Sequence, residues 1–533
     1  MKKSIQMRFT IMLFTVLLTG CPLDFSNPMD PDSSAYEGFL TITDPADIVA
    51  QSAWATPTDG SAEPCFVASR ILGASLYQLQ VADIDDFSGT LLVDVSATTS
   101  NSIPVPGLID TMVDGTTYYW RVSATKDGLP GPWSPVAEFT VHRTTGISIG
   151  SYDARGNAGS TGSIQGCTIE PADATCPQIQ WSSSDPGIVS VDAGGKLRFL
   201  SPGSIAVITA TTIDGGFTDS VVVSVNLSAS ASTGFAGSRE NIGWQDGIGL
   251  DAQFDGQIFL CHADGWLYAT NSNQHTVRAV NLATREVTTL AGSPYEPGYI
   301  DGSATEARFN HPTGICTDGS NVYIADQANW RIRRINLADG IVSTLAGSGD
   351  FGNTDGAADV AQFTTIRNIH TDGLYIYVTQ PGAIRKVAIA TGQVTTLWQP
   401  VVWDDPDGMA VDGTSLYFTS TSQTHSLYSL NLTTGVTTEL AGTGGESPPS
   451  IDGLSPDASF TYPADLCTDG TALYITEHLN TEGTLCTLRK FDATTGALGT
   501  ILGPVEAQYG SIIAVGSTLY LANGCRIDTL PLE

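Results

Sequence analysis

Side chains that could hold a metal recur at one position in the C-terminal half of the sequence. Counting back two residues from each of five Asp-Gly pairs gives His262, Cys316, His370, Ala410 and Cys467. Imidazole and thiolate groups are ligands for zinc and other soft metals, so a ring of such residues could bind one. The alternative is packing, because apolar residues flank these positions and a buried Cys acts as a small hydrophobe. We favour packing and predict no metal site.

Motifs for catalysis are not found. The sequence contains no Gly-x-Ser-x-Gly or His-Glu-x-x-His motif, and no phosphate-cradling glycine loop. Four further histidines share no common register, namely His275, His311, His425 and His478. No catalytic residue is therefore predicted.

A candidate ligand-binding face is formed by the loops that lead into the first strand of each C-terminal repeat. These loops contribute His311, Arg367, Asp404, Asp405, Asp407, Tyr462 and Asp465. Acids, one arginine and an aromatic ring suit a polar ligand such as a glycan or a peptide. The alternative is that these are solvated loop residues.

Composition limits the class of protein. The 533 residues include 23 Lys and Arg against 55 Asp and Glu, for a formal charge of −32. This balance argues against nucleic acid as a partner, because phosphate neutralisation needs clustered basic residues. Hydrophobic residues make up 41% of the chain, with 56 Gly and 27 Pro. Short alternating runs between turn residues predict an all-β protein.

The N-terminus has the pattern of a signal peptide. Lys2, Lys3 and Arg8 precede the short apolar run from Phe9 to Leu18, which ends in Leu-Thr-Gly-Cys at residues 18–21. This ending resembles the lipobox of bacterial lipoproteins, which implies lipidation of Cys21 and a membrane anchor in the bacterial cell envelope. We expect a signal peptide over residues 1–20 and a flexible tether over residues 21–35. An ordinary secretory signal is the alternative, and whether the protein faces the periplasm or the exterior stays open.

Two β-sandwich modules are predicted next. Residues 36–142 resemble fibronectin type III modules through GASLYQLQV and through the ordered segments YYWRV, PWS and FTV, whose aromatic residues we assign to the core. Residues 144–225 resemble group 2 bacterial immunoglobulin-like domains through WSSSDP, PG and ITA. Such immunoglobulin-like modules usually serve as spacers or adhesive units. Cys167 and Cys176 flank a turn-rich stretch, and an exported protein permits a disulfide between them.

A repeat fills residues 232–533. Its clearest strand begins at Leu267, Val322, Ile376, Leu416, Leu473 and Leu519 and reads Leu-Tyr-x-Ala/Thr or a close variant. Six units follow, each long enough for a four-stranded sheet. The chain ends after a third strand, whereas a lone fourth-strand copy lies at residues 234–238. We therefore predict a closed ring of six blades, completed by this displaced strand.

Four blade-linking loops also share one spacing, with Ala six and Phe eight residues after an Asp. These are Asp246/Ala252/Phe254, Asp301/Ala307/Phe309, Asp355/Ala361/Phe363 and Asp452/Ala458/Phe460. The spacing predicts one reused loop conformation, in which Asp-Gly makes a turn and Ala and Phe fill the groove between blades. Calcium binding by these Asp residues is the alternative.

The repeat resembles the NHL family, best seen in His311-Pro312-Thr313-Gly314-Ile315, then in residues 322–326, then in Asn329-Trp330-Arg331-Ile332. The resemblance implies a six-bladed propeller. Some NHL-like propellers are lyases or lactonases with a metal in the axial channel. We expect instead a binding protein for adhesion or scaffolding, with a protein or glycan ligand and no cofactor. A propeller enzyme and a purely structural envelope protein remain the alternatives.

Overall fold

The computed structural model describes residues 41–42, 50–55, 65–68, 70–71, 74–97, 102–105, 108–150, 154–164, 166–170, 172, 179–213, 216–228, 232–400, 404–421, 424–442 and 449–532. Cys21 and Cys176 lie outside these ranges, so the lipidation and the disulfide stay predictions. In the described part of the chain, no helix is long and apolar enough to span a membrane.

The regular secondary structure of the described residues is almost entirely β-strand, as the sequence predicted. They include one short α-helix, Leu108–Thr111, and 3-10 turns at Gly249–Asp251, Ser272–Gln274 and Gln327–Asn329. They form two compact units. The first contains the described residues up to Thr145 with Glu170, Ala172 and Ile213, and the second contains the remainder.

The first unit is built from three sheets. The first is the parallel pair Thr41–Ile42 and Arg70–Ile71, and the second has Ala50–Ala55, Cys65–Ala68 and Ser102–Pro104. The third has Ala137–Thr140, Thr117–Lys126, Ala74–Ala82 and Val93–Ala97, and Leu129–Pro130 pairs with Thr117–Lys126. Alternate residues of the long strands enter the core, where Tyr77, Leu79 and Trp120 are almost fully buried. The ring of Trp120 meets that of Phe66 at 5.1 Å. Trp120 is therefore a core residue, as predicted.

The second unit begins with a module of three sheets, here named the middle module. They are Gly146–Ile149 and Cys167–Glu170; Ala154–Asn157, Thr218–Asn226, Ser204–Thr212 and Ile179–Ser183; and Thr161–Ser163, Lys196–Phe199 and Val189–Val191. Its core contains Val189, Phe199, Ile208 and Val223.

Six antiparallel sheets follow in the described residues, numbered 1 to 6. The strands of each sheet are given from the inner strand outwards. Sheet 1 has Leu260–Ala263, Trp266–Asn271, Thr276–Asn281, Glu286–Gly292 and Gly247–Ile248, and sheet 2 has Pro312–Thr317, Asn321–Asp326, Arg331–Asn336, Ile341–Ala346 and Gly302–Ser303. Sheet 3 has Ile369–Thr371, Tyr375–Gln380, Ala383–Ala388 and Val394–Trp398, and sheet 4 has Pro406–Asp412, Ser415–Ser420, Leu427–Asn431 and Thr437–Ala441. Sheet 5 has Tyr462–Thr468, Leu473–His478, Leu485–Asp492, Ala497–Glu506 and Gly453–Leu454, and sheet 6 has Tyr509–Val515, Thr518–Asn523, Arg526–Pro531 and Thr233–Gly237.

The inner strands close into a ring. Each lies against the inner strand of the next sheet, and that of sheet 6 lies against that of sheet 1. Thr233–Gly237 pairs antiparallel with Arg526–Pro531, so the displaced strand completes the last sheet as the sequence predicted. The ring of Phe235 packs on Tyr520 with centroids 5.2 Å apart. The chain therefore forms a closed β-propeller.

The Asp-Gly pairs form the turns between the first two strands of their sheets. Asp318 Oδ1 accepts hydrogen bonds from the backbone N–H groups of Ser320 and Asn321, at 2.8 and 2.7 Å. The hydroxyl of Tyr323 donates to the other oxygen at 2.7 Å. Asp372 and Asp469 make the same set of bonds. An Asx turn at this position explains the repeated Asp-Gly.

The middle module packs on the outer strand of sheet 5. Ile205, Val222 and Leu227 of the module share one apolar cluster with Leu488 and Ile501 of the sheet. The backbone N–H of Leu227 donates to Ile501 O at 2.7 Å. The middle module therefore packs on the propeller along a sheet face, and its predicted role as a spacer stays a prediction.

Candidate functional site

A buried arginine anchors each of the four Asp-Ala-Phe loops. Arg278, Arg333, Arg385 and Arg489 lie on the third strands of sheets 1, 2, 3 and 5 and are almost fully buried. Arg333, for example, donates to Asp301 Oδ1 at 2.6 Å and to the backbone carbonyls of Ile300 and Arg308 at 2.8 and 2.9 Å. Its guanidinium lies 5.1 Å from the Phe309 ring. The shared loop conformation was predicted, whereas the arginine that holds it was not.

The Asp oxygens of these loops are engaged by protein groups. Asp301 also accepts from the backbone N–H of Thr344 at 3.1 Å and from its hydroxyl at 3.2 Å. Asp246, Asp355 and Asp452 accept equivalent bonds from their own Arg and Thr partners. Each Asp therefore links the buried Arg of the third strand to a Thr of the fourth strand, a structural role that differs from the predicted Asp-Gly turn.

The five positions that were compared as a possible metal ring are not equivalent, because the position counted in sheet 1 is out of register. Cys316, His370, Ala410 and Cys467 each lie opposite the Tyr of the second strand, but the residue opposite Tyr268 is Cys261. His262 lies opposite Leu267 instead. The cause is the turn, because Tyr268 comes four positions after Asp264, whereas the Tyr comes five positions after the Asp in those other four sheets. Counting from the Asp-Gly pair therefore misaligned this sheet by one residue.

Cysteines at this position pack between sheets. Cys316 and Cys467 lie in separate apolar clusters, with Ile369 and Tyr474 respectively. Burial raises the pKa of both thiols well above the ordinary value, which disfavours the thiolate that would bind a metal. Among the described residues, no three His, Cys, Asp or Glu side chains form a group that could hold a metal ion.

Close contact between inner strands depends on the glycines of the Pro-x-Gly segments. A Cβ on Gly314 would lie 2.7 Å from the backbone nitrogen of Ile369 in the next sheet. A Cβ on Gly408 would overlap the carbonyl oxygen of Ala464 and the Cα of Asp465. Glycine at these positions lets the polar residues of adjacent sheets meet around the axis.

Asp465 connects three sheets at the axis. Asn368 Nδ2 of sheet 3 donates to Asp465 Oδ1 at 2.8 Å, across the position where Gly408 of sheet 4 has no side chain. The backbone N–H of Ile512 in sheet 6 donates to Oδ2 at 3.1 Å. Ser511 also hydrogen-bonds to this carboxyl group, and its hydroxyl accepts from the Leu260 N–H of sheet 1 at 3.3 Å. These polar contacts cross the centre of the ring.

An axial cavity of about 680 Å³ opens around this network. It is lined by residues of all six sheets and their loops, including Gln257, Asn273, His311, Thr313, Gln327, Asn368, Asp407, Asp465, His478, Glu482, Gln508 and Cys525. Three of the seven predicted ligand-face residues, His311, Asp407 and Asp465, are therefore in its wall. Ten of the lining residues carry a carboxyl, amide or imidazole group, and together these groups can donate and accept hydrogen bonds.

The other four predicted residues lie apart from the cavity lining. Arg367 donates to Asp405 at 3.0 Å and approaches Asp407 at 3.9 Å. Asp404 is buried and bonds to Ser420 and to Thr424. The ring of Tyr462 packs edge to face on His425 at 5.1 Å.

The cavity perturbs the carboxyl groups at its wall. Burial raises the pKa of Asp465 to about 7, although hydrogen bonds from Ile512 and Ser511 oppose the rise. The side chain of Asp407 is 38% exposed to the cavity, yet desolvation by the surrounding wall raises its pKa, while Arg367 and His478 counteract the rise and Asp405 adds to it. Perturbed carboxyl groups in a concave polar site are typical of functional sites.

Sequence reasoning missed several residues of the wall. Asn368 occupies the Gly position of the Pro-x-Gly segment in sheet 3, and aligning the six segments could have found it. His478 is the last residue of the second strand of sheet 5, Glu482 follows that strand, and both lie outside the segments that were compared. His478 Nε2 lies 3.0 Å from Tyr509 O in the next sheet.

Known proteins resemble parts of this chain, although no family model matches it. Human NHL repeat-containing protein 2 is 32% identical over 104 residues, which cover 19% of this chain and 14% of that protein. Protein SUPPRESSOR OF QUENCHING 1, chloroplastic, of Arabidopsis thaliana is 32% identical over 108 residues, or 20% and 10% of the two chains. The chain thus spans about a tenth to a seventh of the length of these curated relatives.

Solved structures give weaker matches that extend over more of the chain. A protein of unknown function from Bacteroides thetaiotaomicron is 16% identical with a TM-score of 0.42, covering 73% of this chain and 99% of that one. An auxiliary nutrient binding protein from the same species is 13% identical with a TM-score of 0.43, covering 73% and 97%. A virginiamycin B lyase from Staphylococcus aureus is 14% identical with a TM-score of 0.35, covering 67% and 100%. These values carry no inference about ligands. The closed ring of sheets makes the C-terminal part of the chain a β-propeller, and part of the chain is similar in sequence to NHL repeat-containing proteins.

Proposed function

We propose that this protein is a lipid-anchored protein of the bacterial envelope whose six-bladed propeller binds a polar ligand, a glycan or a peptide, in its axial cavity. The observation that carries the proposal is the cavity itself, whose wall unites His311 beside sheet 2, Asp407 of sheet 4, and Asp465 and His478 of sheet 5. Two immunoglobulin-like modules precede the propeller, the second of them fixed to it. No catalytic step is assigned to the cavity.

The polar wall supports binding of a ligand rich in hydrogen-bonding groups. Asp407 offers a carboxylate that is 38% exposed, next to the imidazole of His478. Asn368 and Asp465 satisfy each other at the centre, so they provide a fixed surface for the ligand. A site organised in this way loses little side-chain entropy when a ligand binds.

Calorimetric titration with oligosaccharides and short peptides tests the binding function. Asp407→Asn should weaken binding at least tenfold, because the ligand loses a charge-assisted hydrogen bond. Asp412→Asn is the matched control, since Asp412 is an exposed residue at the far end of the same strand. Equal affinity in the native protein and Asp407→Asn would contradict a site in the cavity.

Membrane fractionation tests the anchor. Cys21→Ala should shift the protein from the membrane to the soluble fraction or leave an unprocessed precursor, because the acylated thiol is lost. Unchanged membrane partition, with no lipid adduct in the mass spectrum of the native protein, would contradict lipidation. Surface proteolysis of intact cells then reports which side of the envelope the propeller faces.

The enzyme alternative, a metal-dependent lyase or lactonase, requires a different result. Metal analysis of protein purified without chelator should show a stoichiometric ion bound to the propeller if that alternative holds. The structural alternative predicts no saturable binding of any glycan or peptide.

A further inference from the structure

Aromatic side chains lie exposed on the same face as the axial cavity. Tyr299 is 45% exposed and Phe351 62% exposed. The Arg331 guanidinium lies 3.8 Å from the centre of the Tyr299 ring, and the rings of Trp330 and Phe351 meet edge to face at 5.9 Å. We name Tyr299, Trp330, Arg331 and Phe351 the rim patch. Exposed apolar groups that cluster in this way commonly mark a binding surface.

The rim patch is held in place before any ligand binds. Arg331 donates from Nη2 to Ser348 O at 2.7 Å and from Nη1 to Asn329 O at 3.1 Å. The hydroxyl of Tyr299 lies 3.1 Å from Thr344 Oγ1. Groups that are already ordered cost little entropy to use in recognition.

The backbone at Trp330 has a conformation that is unusual for an aromatic residue. Its φ is +52°, in the left-handed region that favours glycine. His275 and His425 occupy the same position as Trp330 in sheets 1 and 4, so the prediction that they share no register is wrong, and their φ values of 57° and 48° show that the turn itself imposes this conformation. The Trp330 side chain packs partly against the apolar cluster between sheets 2 and 3, and this contact fixes its ring beside Phe351.

The rim patch adjoins the axial cavity through one short turn. Gln327 lines the cavity and begins the 3-10 turn Gln327–Asn329. The backbone N–H of Trp330 donates to Gln327 O at 3.1 Å and ends that turn. A ligand that extends out of the cavity past Gln327 therefore meets the rings of the rim patch.

We propose that the cavity and the rim patch together bind an oligosaccharide, an inference that rests on the binding function proposed above. A sugar ring has an apolar C–H face that can stack on Tyr299 or Phe351 and hydroxyl edges that donate and accept hydrogen bonds. Asp407, Glu482 and Gln327 supply matching acceptors and donors in the cavity. A folded protein partner would need about 800 Å² per side, far more than four side chains supply.

The length of the saccharide is the variable that tests this inference. The probes are hexasaccharides and disaccharides of glucose, xylose, mannose and N-acetylglucosamine, with hexa-alanine and hexalysine as peptides, titrated calorimetrically against the full chain. Tyr299→Ala and Phe351→Ala should each weaken the best hexasaccharide about tenfold and leave its disaccharide unchanged. Tyr299→Phe should retain the native affinity. Leu374→Ala is the control, because Leu374 is 71% exposed on the turn at the opposite end of sheet 3.

Each other outcome separates the two proposals. Native hexasaccharide affinity in Tyr299→Ala and Phe351→Ala, with loss in Asp407→Asn, overturns the rim patch and leaves the cavity function standing. Binding of peptides alone, or of none of the saccharides, overturns the oligosaccharide. Unchanged affinity in Asp407→Asn contradicts the cavity function itself.

Discussion

At the scale of single residues, Asp465 is the most unusual group in the propeller. It is 6% exposed, accepts hydrogen bonds from sheets 3 and 6, and lies in the wall of the axial cavity. Ionised carboxylates are rarely buried without a cation nearby. Here, amide and hydroxyl donors take the place of a cation. Burial still raises the pKa of Asp465 to about 7, so the carboxyl group titrates near neutral pH.

The raised pKa of Asp465 makes stability depend on pH. The folded protein binds this proton more tightly than the unfolded chain, so the contribution is complete below about pH 4 and is lost as pH rises to about 7. Asp465→Asn should remove this slope, which amounts to an order of 2–4 kcal/mol. Urea unfolding from pH 4 to pH 8 measures it. A variant whose stability follows the same pH curve as the native protein would contradict the assignment.

Single-residue features of the site were predictable only where a repeat position could be counted. Asp407 and Asp465 follow from aligning lead-in segments with His311-Pro312-Thr313-Gly314. The interaction of Asn368 with Asp465 joins residues 97 positions apart and skips a sheet, so no local pattern reports it.

At the scale of elements, the linking loop and the third strand of a sheet behave as one unit. The four sheets with an Asp-Ala-Phe loop carry a buried Arg on that strand, whereas sheets 4 and 6 lack the loop and have Tyr428 and Asp528 instead. The Arg and the loop occur together because the guanidinium satisfies the loop carbonyls and the Asp. In return, the loop covers a charge that could not be buried unpaired.

The two kinds of Arg pairing predict different responses to losing the loop Asp. Asp355 supplies the carboxylate for Arg385 at 2.5 Å, and hydrogen bonds from Thr396 and Arg385 outweigh burial and lower its pKa. Arg333 bonds to Asp301 and also to the fully buried Asp326 at 2.8 Å. Asp355→Ala should therefore destabilise the protein by about 2–3 kcal/mol, and Asp301→Ala by about 1 kcal/mol. Denaturant unfolding measures both, and equal losses would contradict the shared-partner argument.

At the scale of the whole molecule, the closing strand decides whether the ring holds. Deleting residues 232–238 exposes the edge of Arg526–Pro531 and removes the contact of Phe235 with Tyr520. The loss should be about 3–5 kcal/mol and should lower the melting temperature sharply. Deleting residues 22–32 from the predicted tether is the control and should change little. If both deletions melt like the native protein, closure by this strand is wrong.

The packing interface between the middle module and sheet 5 is a second feature of the whole molecule. A Cβ on Gly499 would lie 2.5 Å from Ser224 Oγ and 2.6 Å from Ile205 Cγ2, so only glycine lets the module approach. Asp452 of sheet 5, 8% exposed, also faces Arg155 of the module at 3.4 Å.

Gly499→Val should weaken the packing of the middle module on sheet 5 and lower the free energy of unfolding by about 1–3 kcal/mol. Limited proteolysis should then cut between the middle module and the propeller, near residues 228–232. Thr288→Val is the matched control, because Thr288 has the equivalent register in sheet 1. Identical digestion patterns for both variants would contradict this packing interface.

Features that depend on neighbouring residues were determined by the sequence alone. Alternating strands, Asx turns at Asp318 and Asp372, and the spacing of the Asp-Ala-Phe loops are local, so periodicity and turn chemistry report them. The displaced strand was also predictable, because an unpaired third strand at one end requires its partner at the other.

Only the tertiary structure decided which side chains meet. The cavity wall gathers residues from segments roughly fifty positions apart, which become neighbours when the ring closes. One residue fewer between Asp264 and Tyr268 placed Cys261, rather than His262, in the packing position. The middle module binds sheet 5 because Gly499 leaves room there and because apolar side chains of both surfaces fit together. Such contacts depend on three-dimensional proximity, which a one-residue change in a turn can redirect.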